Sequence, residues 1–317
     1  MTLSPAPFFD DVAGGTPAGA AHWANSTDGV RIRVGHWLPA SDVRGTVLMF
    51  PGRTEYLEKY HDTAQSFAAL GYAMFALDWR GQGLADRLLD DVRIGHVQDF
   101  PDYQLDVKAA LEAAEALDLP RPWHLVGHSM GGCIGLRAVM DGLPVATCAF
   151  TGPMWGIFMS RAVRPLGRLA AYWGTALGMG GRLMPSTKAE SYVTTQDFKD
   201  NLLTTDPAMY KMMQDQLVAH PELALGGPSA RWMRESLEET AHLATLPSPD
   251  LPCLTFLGTE EKIVDTQRIH DRMAIWPKGE LDIVPGGEHE VLMETPEIRT
   301  HVFDRLDRHF SAASLDA

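Results

Sequence analysis

The stretch Trp123-His124-Leu125-Val126-Gly127-His128-Ser129-Met130-Gly131-Gly132-Cys133-Ile134-Gly135-Leu136 decides the fold. Its first part is a short apolar run that suits a buried strand, and its last part suits a helix that starts at once. The switch falls on Ser129, with Gly127 and Gly131 two residues to either side. Glycine at those places permits a tight strand-to-helix turn and a close approach of neighbouring backbone. A serine at the tip of such a turn is presented as a nucleophile. Ser129 is therefore the leading catalytic candidate, and an acid and a histidine are to be sought further on.

Working outward, the same alternation of strand and helix recurs. Residues 29–37, 46–50 and 72–77 read as strands, and 58–70 and about 102–117 as helices. Residues 145–150 continue as a strand after the helix that begins at Met130. The rhythm stops over 153–245, where helical stretches rich in Met, Trp, Tyr and Leu are broken by Gly and Pro. It resumes with a strand at 253–257, a helix near 265–275, a strand at 281–284 and a final helix near 297–309. This pattern predicts an α/β fold with a mostly parallel central sheet, helices on both faces and an inserted helical cap. The expected organisation is an N-terminal extension over 1–27, a core formed by 28–152 and 246–317, and the cap over 153–245.

A serine hydroxyl needs a neutral imidazole to take its proton, and that imidazole needs a carboxylate on its other nitrogen. His289 is the best base. It follows the strand at 281–284 in Pro285-Gly286-Gly287-Glu288-His289-Glu290, where a loop can reach the carboxyl edge of the sheet. His128 is expected to point away from Ser129, and His124 to be structural. The acid should lie just past the strand at 253–257. Glu261 is preferred there, Asp265 is the alternative or a helix cap, and Glu260 is a weaker third choice. The oxyanion of an attacked carbonyl calls for two backbone N–H donors. Met130 supplies one, and the loop Pro51-Gly52-Arg53-Thr54-Glu55 supplies the other through Arg53. The Arg53 side chain is left open between an anionic head group, solvent and Glu55.

Composition narrows the partners. With 27 Lys plus Arg against 41 Asp plus Glu, the net charge of −14 opposes nonspecific binding to nucleic acid. Three cysteines, Cys133, Cys148 and Cys253, form neither a disulfide scaffold nor a metal-binding spacing. No motif calls for a nucleotide, a cofactor or a metal. No apolar run is long enough for a membrane span, and no secretory signal is visible, so a cytoplasmic location is expected. A homodimer through an apolar cap face stays open, with no motif to argue for it.

Together the segments PGRTEY (51–56), DWRGQG (78–83), GHVQDFPDYQLDV (95–107), GHSMGG (127–132), GTEEKIVD (258–265) and GGEHEVLMETP (286–296) resemble the monoacylglycerol lipase and lysophospholipase L2 branch of the α/β-hydrolases, grouped with the S33 serine aminopeptidases. The resemblance implies a serine hydrolase with Ser129 as nucleophile, His289 as base, Glu261 as acid, and Arg53 and Met130 as oxyanion donors. It implies a small ester or lipid substrate, with an amidase or aminopeptidase as the alternative. The chain departs from the family at two places. Pro51-Gly52 replaces the usual His-Gly, and Glu261 replaces the usual Asp, so the acid loop must retreat by a methylene or Asp265 must serve. On the cap, Met154, Trp155, Phe158, Tyr210 and Met213 are the expected substrate-lining residues. Arg161, Arg164 and Arg168 are expected to form a solvated basic stripe.

Overall fold

The computed structural model describes residues 3–40, 43–160 and 164–314. Arg161 lies outside the described residues. In chain order the strands are β1 (Ser4–Pro5), β2 (Gly19–Asn25), β3 (Arg31–Trp37), β4 (Thr46–Phe50), β5 (Ala73–Asp78), β6 (Trp123–His128), β7 (Thr147–Thr151), β8 (Cys253–Gly258) and β9 (Gly279–Val284). The helices are α1 (Asp10–Ala13), α2 (His61–Ala69), α3 (Tyr103–Ala116), α4 (Met130–Met140), α5 (Arg164–Ala176), α6 (Tyr192–Thr195), α7 (Pro207–Ala219), α8 (Ala230–Leu243), α9 (Thr266–Ala274) and α10 (Pro296–Ser314).

Among the described residues the strands form one sheet in the order β1-β2-β3-β5-β4-β6-β7-β8-β9. The pairs from β5 to β9 are parallel, and those from β1 to β5 are antiparallel. Residues 4–25, expected as part of an extension, instead contribute β1 and β2 to the sheet. The central strands β4, β5, β6, β7 and β8 are buried along their whole length, as sheets covered on both faces require. Alternate residues serve opposite layers. Leu48, Phe50, Leu125 and Phe150 pack with α3 and α4, whereas Val47, Met49, Val126 and Phe256 pack with α2 and α10.

Register places the functional loops on one edge. Phe50 pairs with Gly127, His128 with Thr151, and Gly258 with Val284. The chain therefore leaves β4, β6, β7, β8 and β9 side by side, at the carboxyl edge where open parallel sheets bind ligands. Between β7 and β8 the described chain forms α5 to α8 and no named strand. This insertion is fastened to the core by Trp232 and Leu243 of α8 in one apolar layer and by Tyr210 and Met213 of α7 in the other.

A buried ion cluster braces the antiparallel side. Arg33 on β3 donates to Asp78 at 2.7 Å and, with both terminal nitrogens, to Glu58 at 2.8 Å. All three side chains are inaccessible to solvent. Asp78 also accepts the backbone N–H groups of Leu57 and Leu84, so it joins β5 to two loops beside the catalytic edge. Removing the cation would strand two carboxylates in the interior. Arg33→Ala is expected to cost about 3–5 kcal/mol of folding stability, read as a lowered midpoint in urea denaturation.

Candidate active site

Ser129 sits between β6 and α4 with φ +49° and ψ −114°, a backbone state that L residues adopt only where the surroundings enforce it. The enforcement is visible. The Ser129 N–H donates to the Thr151 carbonyl, and its own carbonyl accepts from Gly132 and Met154. A Cβ on Gly131 would lie 2.0 Å from the Phe50 carbonyl oxygen, so only glycine lets α4 start this close to β4. The elbow is thereby pressed against the loop that follows β4.

That loop is held from three sides. Trp79 donates to the Pro51 carbonyl at 2.9 Å, and the Gln82 amide donates to the carbonyls of Gly52 and Glu55. The Glu55 carboxylate accepts from the Gly52 N–H and the Tyr60 hydroxyl. The DWRGQG segment thus anchors the loops beside the elbow. Arg80 itself pairs with Asp106 and Asp28 on the far side.

His289 and Glu261 meet. The Nδ1 of His289 lies 2.6 Å from Oε2 of Glu261, and both side chains are buried. The second oxygen of Glu261 accepts from the N–H groups of Ile263 at 2.6 Å and Val264 at 3.2 Å. Burial alone would raise the Glu261 pKa, but His289 and these N–H donors bring it below the ordinary carboxylate value. Burial would likewise lower the His289 pKa, but Glu261, with Glu290 and Glu55 behind it, raises it above the ordinary 6.5. The pair lies against the exit of β7. Gly152, at φ +47°, lies directly against the pair, and a Cβ there would be a tight 3.1 Å from both Glu261 Oε2 and His289 Nδ1. Gly152 is also the residue after Thr151, which holds the Ser129 N–H.

Asp265 stands at the N-cap position of α9, with its N–H bonded to the Gly156 carbonyl. Glu260 is exposed near Lys262. The Met130 N–H opens α4 directly after Ser129.

Sequence reasoning missed a buried network behind His289. Lys59 donates to Glu55 and to Glu290, each at 2.6 Å. His128 bonds Thr151 through Nδ1, faces Glu55 at 3.5 Å through Nε2, and packs its ring 4.8 Å from that of His289. Burial depresses the His128 pKa, which favours a neutral ring next to the base. The network ties the loop after β4 to the loop that carries His289. Glu55, His128 and Glu290 bring ligand-type atoms within 4.8 Å of one another, but the Lys59 ammonium already lies between the two carboxylates. The spacing of Glu55 and Lys59 was a local clue, whereas Glu290 is remote in sequence.

The expected lining residues separate. Met154 is buried and bonded through its N–H to the Ser129 carbonyl, and Phe158 is 55% exposed. Trp155 is buried: its indole donates to the Gly132 carbonyl, and its ring packs against Phe150 and Trp276. Tyr210 and Met213 are buried where the insertion meets the base loop. The Arg53 side chain turns away from Glu55 and is only partly exposed. It donates to the Gly226 carbonyl of the insertion and lies over the Trp232 ring, 5.2 Å from its centre.

A serine on a strained strand-to-helix turn, with a His–Glu pair on neighbouring exits of a mostly parallel sheet, defines an α/β-hydrolase. The match to the serine aminopeptidase S33 family model spans residues 41–296, and the chain belongs to that family. It is 32% identical to lysophospholipase L2 of Escherichia coli K12 over 291 residues, covering 84% of this chain and 81% of that protein. It is 38% identical to a monoacylglycerol lipase of Mycolicibacterium smegmatis over 278 residues, covering 84% and 88%. A soluble variant of monoglyceride lipase from Saccharomyces cerevisiae, solved with a substrate analogue, shares the fold at a TM-score of 0.71. That likeness covers 92% of this chain and 94% of the yeast chain at 22% identity. No helix among the described residues is long and apolar enough to cross a membrane.

Proposed function

We propose that the protein hydrolyses carboxylic esters with an apolar acyl chain, of the monoacylglycerol or lysophospholipid kind, through an acyl-enzyme on Ser129. The observation that carries this reading is the 2.6 Å His289–Glu261 hydrogen bond on the same sheet edge as Ser129. The Ser129 oxygen attacks the ester carbonyl while Nε2 of His289 takes its proton. Glu261 keeps the other proton on Nδ1 and stabilises the imidazolium. The N–H groups of Arg53 and Met130 receive the oxyanion. His289 then protonates the departing alcohol, and a water activated by the same imidazole releases the acid. Residues 153–245 act as a cap over the sheet edge, with Met154 tied through its N–H to the Ser129 carbonyl. The named relatives support ester over amide chemistry.

The test is a panel of glycerol esters and aryl esters set beside aminoacyl arylamides. Ester turnover should dominate, and arylamide turnover exceeding it would overturn the substrate reading. The pH profile supplies a second mark. His289 must be neutral to accept a proton, and its pKa is raised above 6.5. The ester kcat/KM should therefore climb with pH through a midpoint displaced to the alkaline side of a free imidazole. A midpoint below 6.5 would contradict the Glu261 pairing.

A further inference from the structure

Buried guanidinium groups elsewhere in the chain are compensated. Arg33 has Asp78 and Glu58, Arg80 has Asp106 and Asp28, and Arg137 has Glu239. Arg87 and Arg272 lack a carboxylate, but each donates to two or more backbone carbonyls. Arg53 is different. Among the described residues its one hydrogen-bond acceptor is the Gly226 carbonyl, and its Nε is enclosed with no partner. No acidic side chain among the described residues pairs with it, and burial pulls its pKa down to about 10. The Trp232 ring face attracts a cation but carries no net charge. Gly95 is shaped to the group, since a Cβ there would fall 2.9 Å from Arg53 Nη2.

A partly buried cation whose Nε is wholly enclosed is costly to leave without a counter-ion, and an anion that joins it removes that cost. Arg53 spans the gap between the loop after β4 and the insertion. Its backbone N–H is the proposed oxyanion donor, so its side chain starts from the reacting carbonyl. The alcohol portion of a bound ester is then within the reach of the same residue. Phosphate suits the planar guanidinium fork, which can offer two parallel N–H bonds.

We infer that the Arg53 side chain recognises a phosphate group on the alcohol portion of the ester and selects phosphorylated glycerol esters over neutral ones. This rests on ester hydrolysis at Ser129. It names a specificity-determining residue, and it singles out the lysophospholipid-like member of the substrate class.

The experiment compares monolauroylglycerol phosphate with monolauroylglycerol, so that the acyl chain and the ester are the same. The readout is the ratio of the two kcat/KM values for wild type, Arg53→Gln and Arg53→Lys. Both variants keep the backbone N–H, and thermal melting checks their folding. In Arg53→Gln the ratio should fall roughly ten- to a hundredfold, the worth of a hydrogen bond to a charged group. Arg53→Lys should recover part of it, because the charge returns without the fork. Glycerol phosphate should compete with the neutral ester on the wild type and not on Arg53→Gln. An unchanged ratio overturns the proposal, and so does an equal loss on both substrates, which would mean that Arg53 serves only the loop and cap. Inorganic phosphate competing as well as glycerol phosphate would overturn recognition of a head group in favour of a free-anion site. A wild type that cleaves neither ester would fail the underlying reading instead, and Ser129→Ala separates the two failures.

Discussion

Ser129→Ala is expected to lower ester kcat/KM by roughly ten-thousandfold to a millionfold while leaving the fold in place. The expected loss is large because in the proposed relay the serine acts as a unit with His289 and Glu261. Without the attacking oxygen, the proton acceptor and its orienting carboxylate have nothing to act on. What survives is the general-base use of water and the polarisation offered by the oxyanion donors. Steady-state assay of the purified variant on a short acyl ester reads the effect, and a fluorophosphonate label should mark the wild type and not the variant. Folding should hold, because the contacts that set the elbow are made by the Ser129 backbone with Thr151, Gly132 and Met154. Alanine at φ +49° carries the same backbone cost as serine. Turnover equal to that of the wild type would remove the mechanism proposed above.

The elbow was legible because every constraint on it is local. The apolar strand, the two glycines and the immediate helix lie within a dozen or so residues, and each has one physical reading. The alternation of strands and helices carried the rest of the parallel sheet. β2 escaped notice because Gly19–Asn25 lacks β-branched residues and owes its strand state to its pairing with β3. The helical insertion between β7 and β8 was readable as a break in rhythm, although the fate of single residues inside it was not. Trp155 was placed by its position alone, and no local pattern announced that its indole would donate to the Gly132 carbonyl. The Lys59–Glu290 bridge spans 231 positions, so no local pattern could announce it. The Arg53 side chain posed a similar problem. Its neighbours Gly226 and Trp232 arrive from the insertion, and Glu55, the close acid in sequence, is taken by Lys59, Tyr60 and Gly52.

The departure from aspartate at the acid position makes Glu261 the sharper test of the relay. Its two oxygens are chemically distinguished by their surroundings. Oε1 faces two N–H donors, from Ile263 and Val264, and Oε2 faces Nδ1 of His289. In Glu261→Gln the amide oxygen must stay with the backbone donors, since an NH2 group there would meet two N–H groups head-on. The NH2 then points at His289 and requires an unprotonated Nδ1. That choice of tautomer puts the proton on Nε2, where the imidazole can no longer accept one from Ser129. The expected loss in kcat/KM is about a thousand- to ten-thousandfold at neutral pH, with little change in KM. Glu261→Asp keeps the correct tautomer and only lengthens the contact, so it should retain far more activity than Gln. Asp265 provides the contrast. It sits at the start of α9, and Asp265→Asn should leave the relay running. If Asp265→Asn were the crippling change and Glu261→Gln the mild one, the acid would have been assigned to the wrong carboxylate.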